Sequence, residues 1–565
     1  MVETVQAKPN VDPYKMRSEY ERRWSALVFE RTTWIAHWAD ISRNLLPRSG
    51  RFFVDDRNKG NKRHNSILDS TGTRALRVLA AGMMSGMTSP ARPWFRLGTD
   101  DPALAELQSV KIWLKEATDM MLTIFERSNT YRALHSSYQE LGAFGTAATI
   151  VLPDFKDVIR HYPLTAGEYC IATDHRGEVD TLYREFQMTV SQMVSDFGKE
   201  NMSISAQQAY DNGSLDQWFT VVHAIEPRRD RDPSKVDNKN MPWRSVYFER
   251  GCPAGKYLRE SGFNRFPALC PRWDTAGGDI YGNSPGMEAL GDVKQLQHEQ
   301  LRKGQAIDYK VRPPLQAPTT LKNHESDMLP GGITFVDSAQ SQGAIRSMFE
   351  VNLDLSHLLE DIQDVRQRIN ATFYVDMFLM LSEQNIGRIT ATEVAERHEE
   401  KLLMIGPVLE RLQNELLNPL IDITFDAMLA ANILPPPPPE LRGQSIGVTY
   451  VSMLAQAQKA IATNSIDRFV GSIFSVAQGK PEVLDKFNSD QWADDYATAL
   501  GIDPALVLSD DEVAAIRQAR QKAMQQQQQA AAAQQAADTA KTLSAAQTTQ
   551  PSALSSVTDA FSGYS

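Results

Sequence analysis

The strongest constraint in this 565-residue chain is an apolar stripe at Val351, Leu355, Leu358, Ile362, Val365, Ile369 and Phe373. Steps of four and three place these residues on one face of a helix, and such a face is a seam that another helix must cover. The spacing predicts a helix over about 352–378, roughly 40 Å long at ~1.5 Å per residue. A second helix precedes it. Ser284-Pro285 is a helix start, with serine as N-cap and proline in the first turn, and the helix runs to about Tyr309. Pro313, Pro314, Pro318 and Pro330-Gly331-Gly332 break up the stretch between them, where YKV and ITFVD are candidate strands. Two long helices joined by a short irregular excursion are not expected to bury their seams alone. Neighbouring copies in a closed oligomer would do so.

The first half of the chain reads as α+β. Residues 14–150 are helical in pattern, with helices over 14–46, 104–126 and 131–144. Over 147–273 the pattern changes to the strand-like runs TIVL, DVIRHY, VDTLYREFQ, WFTVVHAI and SVYFE, separated by Gly, Asp, Asn and Pro. After the long seam helix, SEQNIGRI breaks the periodicity. Thr390-Ala391-Thr392-Glu393 is a capping-box pattern that opens a helical stretch to Leu434, with kinks expected near Pro407 and Pro419. Pro435 to Pro439 form a stiff spacer of roughly 15 Å and a domain boundary. A strand (IGVTYV) and short helices follow. Ser509-Asp510-Asp511-Glu512 is another capping box, opening an Ala/Gln helix to about Leu543, and the last twenty residues are expected to be mobile.

Composition excludes several classes. Cys170, Cys252 and Cys270 are isolated, which disfavours a disulfide or zinc framework. The N-terminal residues have no apolar signal core, and the longest apolar run, 141–152, is far short of the ~20 residues of a membrane span. A net charge of -11 disfavours tight duplex binding. One basic stretch stands out against it: Arg48, Arg51, Arg57, Lys59, Lys62 and Arg63, with Phe52-Phe53 inside. It is a candidate nucleic-acid contact patch; the alternative is a loop pairing with acidic neighbours.

Catalytic motifs fail on chemistry. Gly282-Asn283-Ser284-Pro285-Gly286 matches the nucleophile-elbow pattern, but proline lacks the N–H that the oxyanion hole needs after the serine. The segment 251–257 is one residue short of a P-loop and lacks its Ser/Thr. His398-Glu399-Glu400 and His298-Glu299-Gln300 begin like a zinc-protease helix, but Leu402 and Arg302 stand where the second histidine belongs. No catalytic residue, metal or cofactor is expected.

Three segments resemble the head-to-tail connector (portal) family of short-tailed, podovirus-type double-stranded DNA bacteriophages: AAGMMSGMTSPARPWFRL (80–97), YGNSPGMEALGDVKQLQ (281–297) and RITATEVAERHEEKLLMIGPVLERLQNELLNPLIDITF (388–425). The likeness extends over about 14–500. It implies a mainly α, ring-forming fold with an α+β wing over 1–283, stem helices at 284–309 and 348–378, and a clip at 310–347. It further implies a tunnel loop at 379–390, a kinked wing helix at 391–434, a crown at 440–508, a barrel helix at 509–543 and a flexible tail at 544–565.

The same resemblance implies a non-enzymatic ring, usually of twelve copies, at one capsid vertex. DNA is packaged, retained and ejected through its channel. The implied partners are the terminase motor, the major capsid and scaffolding proteins and the tail adaptor, with no membrane. Location would be the virion, and the host cytoplasm during assembly. Gln384, Asn385, Ile386, Gly387 and Arg388 would line the channel, with Leu355, Leu358, Ile362, Val365 and Ile369 as the oligomer seam. The segment 346–434 holds 15 Asp/Glu against 7 Arg/Lys, an acidic wall that would keep sliding DNA off the surface. The competing readings are another phage structural ring or tail adaptor, a packaging nuclease or ATPase, and a membrane-active ejection protein.

Overall fold

The computed structural model describes residues 13–52, 66–99, 101–232, 234–235, 237–251, 257–318, 329–336, 346–347, 356–382, 405–441, 443, 446–451, 470–475, 480, 482, 487–489, 491–492 and 510–545. The described residues fall into two compact units, the larger drawn from 1–98, 114–436 and 446–472, the smaller from 99–113, 437–445 and 473–565. The division between Pro436 and Pro437 lies inside the proline run.

The larger unit opens with α1 (Pro13–Asn44) and α2 (Thr71–Met87). Strand β1 (Phe95–Thr99) is followed by α3 (Pro102–Glu106), which belongs to the smaller unit, by α4 (Gln108–Arg127), of which the residues from Leu114 on belong to the larger, and by α5 (Thr130–Phe144). The single helix expected over 104–126 is thus divided at Leu107, whose extended backbone (φ -69, ψ 122) ends α3. Asp101 caps α3 by accepting from Ala103 N at 2.9 Å.

Two antiparallel sheets follow. The first has the order β3-β2-β9, from β2 (Ala148–Asp154), β3 (Val158–Leu164) and β9 (Ala268–Leu269). The second has the order β4-β5-β6-β7-β8: β4 (Tyr169–Thr173), β5 (Val179–Thr189), β6 (Trp218–Pro227), β7 (Trp243–Glu249) and β8 (Arg259–Phe263). Strand alternation gives this sheet two buried faces. Val222, Ala224, Val246 and Phe248 meet Tyr20, Trp24 and Leu27 of α1. Val221 and Tyr247 face the other way, onto α6 (Val190–Phe197) and α7 (Ile204–Asp211).

Helices α8 (Pro285–Glu288) and α9 (Leu290–Val311) come next. Val311 ends α9, so YKV is its last helical turn and not a strand. A three-stranded sheet of order β11-β10-β12 follows, from β10 (Leu315–Pro318), β11 (Ile333–Val336) and β12 (Arg346–Ser347). Helix α10 (Ser356–Thr372) is separated from α11 (Val375–Ser382) by Tyr374 at φ +56. The continuous helix expected over 352–378 therefore breaks one turn before its end. Helix α12 (405–412) runs through a π-helical turn, Gln413–Leu417, into α13 (Asn418–Ala430). Pro419 lies at the first turn of α13, where its missing N–H is tolerated, and the π-turn takes up the irregularity. Strand β13 (Ile446–Tyr450) pairs with β1. In the smaller unit, α14 (Asp510–Ala545) is a 36-residue helix, exposed over nearly all its described length.

The seam residues need correction. Ile362, Val365 and Ile369 are 2%, 0% and 0% exposed within the single chain, because α10 packs on α9 and α2. They belong to the subunit's own core and are not free to form a seam between copies. Leu358 is half-buried, and Leu355 lies outside the described residues.

Candidate functional site

The α9–α10 pair is built outward from a tight crossing of backbones. Gly145 ends α5 in the left-handed region (φ +75), and a Cβ there would lie 2.1 Å from Gly282 O. Ser284 is fully buried beside this crossing. Its Oγ accepts from Met287 N at 3.0 Å, capping α8, and donates to Ala143 O at 2.8 Å. Both roles occupy the hydroxyl of the nucleophile-elbow match, which is a structural cap. Gly286 then lies on the end of α5, where a Cβ would be 2.8 Å from Ala143 O. These contacts set where α9 leaves the body of the unit.

The two helices run antiparallel. Asp292 pairs with Arg368 at 3.5 Å, while Glu299 further along α9 meets Asp361 further back on α10. Leu290, Val293 and Leu296 of α9 are buried, as are the three former seam residues of α10. Burial, opposed by the donated hydrogen bond of Gln295 and assisted by the Asp361 charge, pushes the Glu299 carboxyl up.

One end of the pair is tied to α2 by Asp69. Its Oδ1 accepts from Thr71 N at 2.9 Å and Thr71 Oγ1 at 2.6 Å, and its Oδ2 from Gln300 Nε2 at 3.0 Å and Arg366 Nη2 at 2.7 Å. Gln297 adds a second link, donating to Asp69 O at 2.9 Å and accepting from Asp69 N at 2.9 Å. One buried carboxylate thus joins three helices. The other end passes into the small sheet. Strand β10 pairs in parallel with β11 and antiparallel with β12, and Gly331 (φ +84) donates to Arg312 O at 2.6 Å.

The π-turn makes a further link: Arg272, buried, donates from Nη2 to Glu415 Oε1 at 2.6 Å, and Arg411 approaches the same carboxylate at 3.5 Å. Neither this pair nor the Asp69 junction was identified from the sequence. Asp69-Ser70-Thr71 before a helix was the available signal for the latter, an Asx-type start.

Of the basic stretch, Arg48 is exposed, whereas Arg51 faces Glu168 at 3.5 Å and donates its backbone N–H to Ala166 O at 2.8 Å. Arg57, Lys59, Lys62 and Arg63 lie outside the described residues, as do Gln384, Asn385, Ile386, Gly387 and Arg388.

The profile of the family described as bacteriophage head to tail connecting protein matches residues 17–508. Over 542 residues, 96% of this chain and 98% of the other, the chain is 64% identical to the probable portal protein of Bordetella phage BPP-1. It is 47% identical to the portal protein of Salmonella phage epsilon15 over 540 residues, 95% of this chain and 97% of the other. Among solved structures, a chain from the neck of an empty gene transfer agent particle aligns with a TM-score of 0.34 at 12% identity, covering 80% of this chain and 96% of that one. That likeness is too slight to bear on the fold. The family profile and the two near-full-length relatives suffice: this chain belongs to the bacteriophage head-to-tail connecting protein family.

Proposed function

We infer that the protein is the portal subunit of a double-stranded DNA phage, a connector that assembles as a closed ring at one capsid vertex. The observation that carries this reading is the 64% identity to a probable portal protein along nearly the whole of both chains. The antiparallel α9–α10 pair, which turns back through a small sheet, suits a stem with a clip at its end, and the sheets between α5 and α8 suit a wing. In this reading the ring has twelve copies, and DNA enters through its channel under the terminase motor, is retained, and leaves through the tail adaptor. Capsid and scaffolding proteins surround the wing, in the host cytoplasm during assembly and then in the virion. The segment Gln384 to Arg388 is assigned to the channel loop because it separates two helical stretches, carries Gly387 and is mostly polar.

The subunit needs no catalytic centre for this role, since the motor supplies the work. Deleting 321–330, between β10 and β11, is expected to preserve rings and abolish DNA packaging. Rings with that deletion that package at the normal rate would remove the docking role from this segment. Arg388→Glu is expected to leave rings intact and alter retention of packaged DNA. Unchanged packaging, retention and ejection would remove Arg388 from the channel.

A further inference from the structure

The stretch from the end of α7 to the start of β6, Tyr210 to Trp218, is exposed at every residue. It is nevertheless fixed. Ser214 N donates to Ala209 O at 2.8 Å and Gln217 N to Ser214 O at 3.3 Å. Its carbonyls in turn accept two N–H groups from the first turn of α6, Val190 N on Gln217 O at 3.0 Å and Ser191 N on Leu215 O at 3.1 Å. The loop thus holds two large apolar side chains in the open, Leu215 at 41% and Trp218 at 45% exposure. Its backbone has little freedom left to lose when a partner binds. A groove of about 510 Å³ adjoins the loop at Ser191, and its lining includes Phe186, Met188 and Asp196.

The uncommitted charge around these residues has one sign. Asp196, Glu200 and Asp216 are exposed, and among the described residues none of their carboxylates has an ion-pair or hydrogen-bond partner. The cations on this side are engaged. Lys199 is bonded to Asp211 and lies 5.4 Å from the Tyr210 ring centroid, and Arg184 lies over the Phe186 ring at 4.5 Å. The Lys199 contact shows what this surface accepts, an ammonium group between an aromatic ring and a carboxylate. Asp216, two positions before Trp218, repeats that combination of residue types and has no such cation. A phosphate group, a nucleic-acid backbone or an anionic lipid would instead meet three carboxylates.

We propose that this surface docks a segment of a partner polypeptide in which lysine or arginine stands among large apolar side chains. The apolar groups cover Leu215 and enter the groove, and the cation goes to Asp216 and the Trp218 ring. The inference is independent of the channel reading, since it rests on the fixed loop, its exposed apolar side chains and the unpaired acids beside them.

The test is calorimetric titration of the intact, assembled protein with a blocked twelve-residue peptide of leucine and lysine in helical register. Its counterparts with glutamate for lysine and with serine for leucine, and phosphatidylcholine vesicles, are titrated beside it. The leucine–lysine peptide should bind, and each counterpart should bind at least about tenfold more weakly. Leu215→Ser with Trp218→Ala should weaken the leucine–lysine peptide by about tenfold or more. Asp196→Asn with Asp216→Asn should do the same and make binding less sensitive to salt. Glu116→Gln with Asp119→Asn, two exposed acids on α4, should leave binding unchanged, which separates docking at this loop from general attraction to an acidic chain. No binding of the leucine–lysine peptide, equal binding of either counterpart, undiminished binding by either loop variant, or an equal loss in the α4 variant would each overturn the proposal. So would vesicle binding that Leu215→Ser with Trp218→Ala removes, which would make the loop a lipid contact. Release of subunits by that variant would also overturn it, by giving the surface to a second copy of this chain.

Discussion

Arg366 of α10 grips Asp69 at the head of α2 through two N–H groups of one guanidinium, Nη2 at 2.7 Å and Nε at 3.1 Å, both on Oδ2. The carboxylate is 6% exposed while the arginine is 44% exposed. Burial alone would raise the Asp69 pKa, but the hydrogen bonds of Thr71 and Arg366 outweigh it and hold the carboxyl below its ordinary range. A depressed acid stabilises the fold above its unfolded pKa, about 3.9, and that contribution is lost as pH falls through the folded value. Asp69→Asn is therefore expected to cost about 2 kcal/mol at pH 7, with the difference from wild type shrinking below about pH 4. Denaturant melts at several pH values check both points.

Glu140 behaves in the opposite sense. It is fully buried on α5, and burial pushes it up to about 7, although Thr165, Ala166 and Ser49 donate to it. Between the unfolded value, about 4.3, and about 7 the folded state holds the extra proton, so stability falls as pH rises through that window and levels off above it. Glu140→Gln should flatten this slope. The melting temperatures of variant and wild type should diverge from pH 4.5 to 7 in favour of the variant, by the equivalent of about 2–4 kcal/mol at most.

Ile362 and Val365 belong to the core of the subunit, so polar substitutions there act on folding before they act on assembly. Ile362→Asp should destabilise the chain by more than about 4 kcal/mol, and Val365→Ala by about 2. Circular dichroism melts of the dissociated subunit check this. A folded, wild-type-stable monomer carrying Ile362→Asp would return these residues to the interface between copies.

Gly145 tests the crossing from which α9 emerges. Alanine at φ +75, with its Cβ 2.1 Å from Gly282 O, is expected to cost at least about 3 kcal/mol. Ala81→Gly, a helix-interior change on the exposed side of α2, should cost only about 1 kcal/mol and serves as the comparison.

What could be read in advance followed local chemistry. The Ser284-Pro285 start needs only a cap and a fixed φ, and the long strands β5 and β6 declare themselves by β-branched and aromatic content. Helices α6 and α7 were not foreseen, although Thr189 and Gln192 form a capping box at the start of α6, and α2 lay within the helical 14–150 without being singled out. Short helices and the Gly/Ala-rich α2 carry weak periodicity and are held by tertiary contacts. The seam was visible, but its partner was not. An apolar stripe states that something covers it, and α9 with α2 does so from within the same chain. The Asp69 junction joins residues 297 positions apart, a relation that no local pattern encodes.

The central claim, a closed ring of this subunit, is tested most directly by the mass of the assembled particle under native conditions. Twelve chains of 63.2 kDa predict a single species near 758 kDa that keeps its mass on dilution. A monomer at micromolar concentration, or an open series of masses rising by one subunit at a time, would contradict it.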